Sequence, residues 1–528
     1  MATAHIDTFA RDNLPPKDQW PVFLLDRPEF HYPEKLNAAV TLIGNPAFKD
    51  RIAVIDKAGR LTFGEMDVLS NRIARVLVED MGVVSGNRVL LHGPNCKMMV
   101  ACWLGILKAG AIAVATMPLL RAPDLAPVIE KAKITHALSH PELAEAVKPT
   151  ADKVRTLYFD AIEAAAAGKP ADFQAVETYA EDLALIAFTS GTTGVPKGTM
   201  HFHRDVMAIC DAFPRSTLET QPDDIFIGTP PLAFTFGLGG LLVFPMWAGA
   251  SVYFPDAPFT PEGLVKLINE VGATICYTAP TFYRQMAPFV KQHGMPSLRI
   301  SVSAGEALPD ATRQLWKEAS GIEMLDGIGG TEVFHIYISA AGNDVRRGAV
   351  GKAVPGFTAK VVDGEGNEVP HGTVGKLALQ GPVGCRYLDD PRQTDYVKNG
   401  WNYPGDSFVQ DDDGYFFYQA RADDMIITAG YNVGGPEVED ALLKHPAVAE
   451  CGVIGKPDAE RGMIVKAFCV LKPGNEGNAA LVKALQDHVK ATIAPFKYPR
   501  EIEFVPALPR TETGKLQRFK LRQLNTTS

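Results

Sequence analysis

Apolar residues Met66, Leu69, Ile73, Val76 and Leu77 recur at helical spacing among polar neighbours, and Gly82 follows as a stop, so the pattern predicts a helix over 64–81. Next come a strand over 88–91, a buried helix over 95–107 and a strand over 112–116, a βαβ unit. The alternation resumes with strands near 225–228, 250–254, 273–278, 299–303 and 322–325, separated by helical stretches such as 261–271. Strands alternating with helices predict parallel sheets covered on both faces. The alanine-rich stretch 161–167 reads as a surface helix by propensity.

Past about residue 348 the texture changes. Short β-like runs over 358–362 and 375–379, broken by glycine-rich turns, predict a small antiparallel subdomain. A charged break at 421–424 follows the aromatic run 415–418. Beyond it, helices over 436–443 and 479–493 with strands near 464–471 and 501–505 form a separate α+β unit. Division at that break gives domains 1–422 and 423–528.

The most distinctive polar interruption is F-T-S-G-T-T-G-V-P-K-G at 188–198, after an apolar strand over 183–188. Gly191, Gly194 and Gly198 let backbone N–H groups converge on an anion, Thr189, Ser190, Thr192 and Thr193 add hydroxyls, and Lys197 adds a positive charge. These are the properties of a phosphate-holding loop. The spacing does not satisfy G-x-x-x-x-G-K-[ST], which argues against a Walker NTPase.

At 528 residues the chain exceeds a single core, and 46% hydrophobic with 21% charged residues is a globular composition. A formal charge of −9 without a long basic run argues against general nucleic-acid binding. Seven cysteines without a C-x-x-C pair argue against a disulfide framework or zinc site and fit a reducing cytoplasm. The first residues lack a signal-peptide pattern, and the apolar windows 98–120 and 234–250 are interrupted by Lys108, or by glycines and Pro245. A cytoplasmic protein that does not span a membrane is expected.

The run T-S-G-T-T-G-V-P-K-G resembles the phosphate loop of the adenylate-forming superfamily, which comprises acyl- and aryl-CoA ligases, carrier-loading adenylation domains and luciferases. Further motifs arrive in that family's order. Asp326, Gly327, Ile328, Gly329, Gly330, Thr331 and Glu332 resemble its x-G-Y-G-x-T-E, with Ile328 in place of tyrosine; the resemblance implies a phosphate contact from Thr331 and a Mg²⁺ ligand in Glu332. Ala304, Gly305 and Glu306 match its adenine segment. Asp406 and Arg421 match its ribose contacts, although Pro404 replaces a threonine. Asp423 stands at its hinge, Gly430 at a glycine lining its pantetheine channel, and Lys515 at its C-terminal catalytic lysine.

The resemblance implies an α/β adenylate-forming fold: a large N-terminal domain of parallel sheets covered by helices, with a small β subdomain, and then a small mobile α+β domain. It implies ATP, Mg²⁺ and coenzyme A as cofactors and a carboxylic acid as partner. Phe234, Thr235 and Phe236 fall in the family's acyl-pocket segment. The run 326–339 is similar to the benzoate-CoA ligase group, so Phe334, His335 and Ile336 would also border the acid. Flat apolar walls favour a planar ring over a long chain. The segment A-H-I-D-T-F-A-R-D-N-L-P-P near the start resembles 2-aminobenzoate-CoA ligases, which makes 2-aminobenzoate the expected acid. A carrier-loading adenylation enzyme, a silent nucleotide-binding protein and a luciferase-like oxygenase stay open on the sequence, as do monomer and homodimer.

Overall fold

Six parallel strands form the middle of a nine-stranded sheet: Leu325–Gly329, Ile300–Ser303, Ile275–Thr278, Ile225–Gly228, Ser251–Tyr253 and Ile52–Asp56. Antiparallel Ile336–Ser339 and Lys352–Ala353 extend it on one side, and Gly59–Thr62 on the other. The computed structural model from which this architecture is taken describes residues 2–189, 196–429, 431–458, 460–510 and 515–524. A six-stranded sheet has the order Arg155–Tyr158, His136–Ser139, Arg88–His92, Ile112–Thr116, Leu183–Thr189 and Lys197–Phe202, parallel except for its last strand.

Helix Lys97–Lys108 packs against strands of both sheets and is buried almost all round, which is why its sequence lacks a polar face. Lys108 ends it inside the protein. Its ammonium is satisfied by Asp67 Oδ1 at 2.6 Å, Ser70 Oγ at 2.8 Å and Asn71 Oδ1 at 2.7 Å, so a buried cation ties two helices together.

A third, antiparallel sheet carries the strands Thr358–Val362, Gly375–Gln380, Asp406–Gln410 and Phe416–Arg421, in line with the small β subdomain expected past residue 348. Beyond it, Ile426–Thr428, Tyr431–Val433, Val448–Asp458, Gly462–Leu471 and Glu501–Phe504 make a five-stranded sheet. That sheet and helices Gly435–Leu443 and Ala479–Thr492 share their own apolar cluster, including Val438, Leu442, Val465 and Leu485.

Four details depart from the periodicity. The first long helix is α-helical only over Phe63–Arg75 and widens to a π-turn over Val76–Asp80, which keeps both Val76 and Leu77 buried. The next begins at Lys97 because Asn95 spends its amide on the backbone of Pro230 and Leu232. The strand expected near 322–325 lies at Leu325–Gly329, carried through three of the motif residues by antiparallel pairing with Ile336–Ser339. Finally, the run 188–198 is not loop throughout: Thr189 pairs with Lys197 and Phe188 with Gly198 across a hairpin.

Candidate active site

The hairpin at 325–339 is built by glycine. A methyl group at position 327 would stand 2.6 Å from Ile336 Cδ1, and one at 329 would stand 2.6 Å from the His335 carbonyl, so close antiparallel contact requires both residues to lack Cβ. Thr331–Val333 form a 3-10 turn, after which Phe334 takes φ 71°, ψ −53° and His335 N–H donates to the Val333 carbonyl at 2.9 Å. This γ-turn with positive φ is rare and strained, at a cost of about 1–3 kcal/mol. It reverses the chain immediately after Thr331 and Glu332, where an ordinary turn would need more residues.

Glu332 does not stand alone. The Tyr387 hydroxyl donates to Glu332 Oε1 at 2.6 Å and accepts from Lys197 Nζ at 3.0 Å, while Lys197 and Glu332 approach directly to 3.6 Å. On the other side of the turn, His201 Nε2 lies 2.8 Å from the Thr331 carbonyl, and its ring packs on Phe334 with centroids 4.8 Å apart. Asp205, ion-paired with the fully buried Arg386, lies 3.8 Å from His201 Nδ1. Motif reading missed Tyr387 and His201, since their roles depend on contacts 55 and 130 residues away along the chain. Thr189 ends its strand with a buried hydroxyl that has no partner among the described residues. Ser190, Gly191, Thr192, Thr193 and Gly430 lie outside the described residues.

Asp406 and Arg421 sit directly opposite on adjacent strands, with Nη1 to Oδ1 at 3.3 Å. Burial pushes the Asp406 carboxyl up to about 6 in spite of Arg421. Burial likewise holds Asp326, at the start of the glycine motif, at about 6. Ala304 is buried, whereas Gly305 is exposed at φ 89°, and Lys515 lies over it: a Cβ on Gly305 would be 3.5 Å from Lys515 Cε. Lys515 keeps part of its surface in water. Crowding nevertheless strips hydration from the ammonium and, with repulsion from Arg421, lowers its pKa against the attraction of Glu306, Asp406 and Glu332.

Glu306 accepts from Thr281 at 2.8 Å and pairs at 3.2 Å with Arg510, which also pairs with Glu450. With the bond from Ala311 N–H to Asp440, this docks the C-terminal unit with its Lys515 face toward the motif cluster. Asp423 is exposed in the short turn Ala422–Asp424, and on the hairpin flanking position 430 Ile427 and Tyr431 are more than half exposed. Lys515 is therefore gathered with Glu306, Asp406, Arg421 and Glu332.

The acyl-pocket segment enters helix Thr235–Leu238, with Phe234 half-buried at its N-cap and Thr235 buried. Phe236 faces Tyr277 and His335, with ring centroids at 5.4 and 5.7 Å. Phe244 and Phe213 close around the same imidazole at 4.6 and 5.5 Å. Burial pushes His335 down to about 3, so it is neutral at any ordinary pH. The Phe236 backbone faces the imidazole and favours its charged form slightly, yet neither ring nitrogen, nor the Tyr277 hydroxyl, makes a well-formed hydrogen bond among the described residues. Phe334 is fully buried against His201, and Ile336 is buried against Gly327.

Among the described residues no three carboxylate, imidazole or thiol side chains gather as a metal cage. Glu332 fits a magnesium ion of the kind held by one protein carboxylate together with phosphate oxygens and water, because Tyr387 occupies only Oε1.

An open α/β sheet thus brings together a glycine motif bearing Thr331 and Glu332, an Asp406–Arg421 pair and a lysine from a second unit, and comparison with known proteins gives the class: a nucleotide-dependent, carboxylate-activating enzyme. The chain belongs to the AMP-binding enzyme family: that family's model matches residues 45–387 and its C-terminal domain model matches 437–515. Benzoate–CoA ligase of Thauera aromatica is 36% identical over 512 residues, covering 94% of this chain and 97% of that protein. The crystal structure of the anthranilate CoA ligase AuaEII in complex with anthranoyl-AMP superposes with a TM-score of 0.89 at 34% identity, over 95% of this chain and 99% of that one. A benzoate CoA ligase from Burkholderia xenovorans LB400 gives 0.85 at 30% identity, over 92% and 99%. The protein is an acid–thiol ligase of the aryl-CoA ligase class, and such enzymes use ATP, Mg²⁺ and coenzyme A. Among the described residues no helix is long and apolar enough to cross a membrane.

Proposed function

We propose that this enzyme activates 2-aminobenzoate, with benzoate as a second substrate. The observation that carries the reading is the His335 box: aromatic walls on several sides, with the imidazole nitrogens and the Tyr277 hydroxyl buried and without a well-formed hydrogen bond among the described residues. Aromatic walls suit a planar ring. A neutral imidazole nitrogen accepts a hydrogen bond from a ring amino group, and leaving such buried polar atoms unpaired costs about 1–3 kcal/mol each.

In the first step the aryl carboxylate attacks the α-phosphorus of ATP and pyrophosphate leaves. In the second, the CoA thiol attacks the acyl carbon and AMP leaves. On this reading Thr189, Lys197 and Thr331 contact phosphate, Glu332 would hold magnesium, which would supply positive charge against the phosphates, and Asp406 and Arg421 hold the ribose. Ala304, Gly305 and the 326–329 segment border the adenine. Lys515 stabilises the negative charge that gathers between carboxylate and α-phosphate. Lobes 1–422 and 423–528 rotate about Asp423 between the steps, exchanging Lys515 for the hairpin around Gly430.

The test is CoA-dependent AMP release across benzoate, its 2-, 3- and 4-amino and hydroxy derivatives, and hexanoate. The expected order has 2-aminobenzoate highest in kcat/KM, benzoate within about tenfold, and hexanoate far lower. Preference for hexanoate, or for a 4-substituted ring, would overturn the substrate assignment.

A further inference from the structure

Lys197 and Glu332 approach to 3.6 Å without closing to the 2.7–2.9 Å usual for an ammonium–carboxylate hydrogen bond. The group beside them is the Tyr387 hydroxyl, 2.6 Å from Glu332 Oε1 and 3.0 Å from Lys197 Nζ, with the same ammonium 4.9 Å from the Tyr387 ring centroid. Tyr387 has no freedom to follow either partner. Its side chain is buried, and its N–H donates to Gln393 Oε1 at 2.9 Å. Residues 386–388 also run along the strand that leaves the phosphate hairpin: Met200 N–H donates to the Arg386 carbonyl and Leu388 N–H to that of Gly198, both at 2.8 Å. Arg386, one residue before, is clamped to Asp205 in the interior.

We infer that Tyr387 is a positioning residue for adenylation, a fixed spacer that sets the Lys197 ammonium and the Glu332 carboxylate apart and in register with each other. By donating to one carboxylate oxygen it holds Glu332 in a single rotamer with Oε2 free for a cation. By accepting from Lys197 it holds the ammonium beside the phosphate hairpin. Without that hydroxyl the two charges close on each other: the carboxylate loses negative charge that a divalent cation requires, and the ammonium is drawn from the phosphates. The inference rests on the reading of Glu332 and Lys197 given above, and it adds a residue from a segment that carries no phosphate motif of its own.

Tyr387→Phe removes the hydroxyl and keeps the ring. Binding of Mn²⁺ in the presence of a non-hydrolysable ATP analogue, followed by electron paramagnetic resonance, is expected to weaken about 5- to 20-fold, the scale of one charge-assisted hydrogen bond. The magnesium concentration for half-maximal pyrophosphate release rises by a similar factor, the KM for the aryl acid stays within about twofold, and conversion of supplied aryl adenylate by CoA is unchanged. In a Lys197→Met background the same substitution weakens Mn²⁺ binding by a smaller factor, because no ammonium remains to collapse onto Glu332. Wild-type Mn²⁺ affinity and magnesium dependence in Tyr387→Phe would refute the spacer role alone. Wild-type protein that binds no Mn²⁺ with the analogue would refute the reading of Glu332 and the spacer with it. A variant that loses affinity for metal, aryl acid and supplied adenylate in equal measure would assign Tyr387 to packing and likewise refute the proposal.

Discussion

Substituting Gly239 by alanine probes the proposed acyl pocket around His335. The added methyl group would stand 2.5 Å from His335 Cδ2, 3.0 Å from His335 Nε2 and 3.2 Å from Phe244 Cζ. Carbon atoms pack best near 3.5–4.0 Å, so the imidazole must yield by about 1 Å. It has little space in which to do so, since Phe236, Phe244 and Phe213 lie 5.7, 4.6 and 5.5 Å from it between centroids. Overpacking of this kind costs about 1–3 kcal/mol, and if the displaced ring is the one the aryl acid meets, that cost corresponds to about a 5- to 150-fold loss in rate constant. Pyrophosphate release measured against varied 2-aminobenzoate and, separately, varied ATP is expected to show the loss in kcat/KM for the acid, with the KM for ATP moved less than about twofold. Adding His335→Ala relieves the overlap and abolishes the preference for 2-aminobenzoate over benzoate. A lowered Tm with acid kinetics intact, or equal losses for acid and ATP, would refute the placement of His335 at the substrate.

Lys515→Ala is expected to lose adenylation by about 10²-fold or more yet still convert supplied aryl adenylate and CoA to thioester; equal loss of both half-reactions would contradict the division of work between two faces of the C-terminal unit. Asp406, raised to about 6 by burial, is charged above that pH and neutral below it, so the KM for ATP should climb as pH falls through about 6, and Asp406→Asn should level the climb. The sign for stability is opposite: the unfolded carboxyl ionises first, so this group withdraws stability as pH rises from its ordinary value of 3.8 to about 6, which urea titrations across that range would register. Lys108→Met leaves the half-exposed Asp67 and the Ser70 and Asn71 oxygens without the ammonium, and a loss of about 1–3 kcal/mol is expected as a lowered Tm with KM values unchanged. An unshifted Tm would contradict the role given to that ammonium.

Helix Pro261–Val271 and the strand Ile225–Gly228 are legible in sequence because the apolar period and the flanking Pro, Gly and polar residues agree. The strand Leu325–Gly329 is not legible as such: three of its five residues are Asp or Gly, which normally mark turns, and only the partner strand Ile336–Ser339 turns them into a ladder. The same limit hides Phe334, whose positive φ comes from the surrounding hairpin and runs against the propensity of an aromatic residue. Thr331, Glu332, Asp406, Arg421 and Lys515 stand out in the sequence through a resemblance of motifs, and the fold gathers them from 326–332, two strands of a third sheet and the C-terminal unit. Tyr387 and His201 carry no local signature. Each acquires its meaning from a distant carboxylate or carbonyl, and a one-dimensional pattern holds no record of such a contact.

The most direct measurement omits CoA. The protein incubated with Mg²⁺, ATP and 2-aminobenzoate, quenched and analysed by mass spectrometry, is predicted to yield enzyme-bound 2-aminobenzoyl-AMP and one pyrophosphate per adenylate. Absence of an acyl adenylate with 2-aminobenzoate, benzoate and every other ring acid offered would contradict the account.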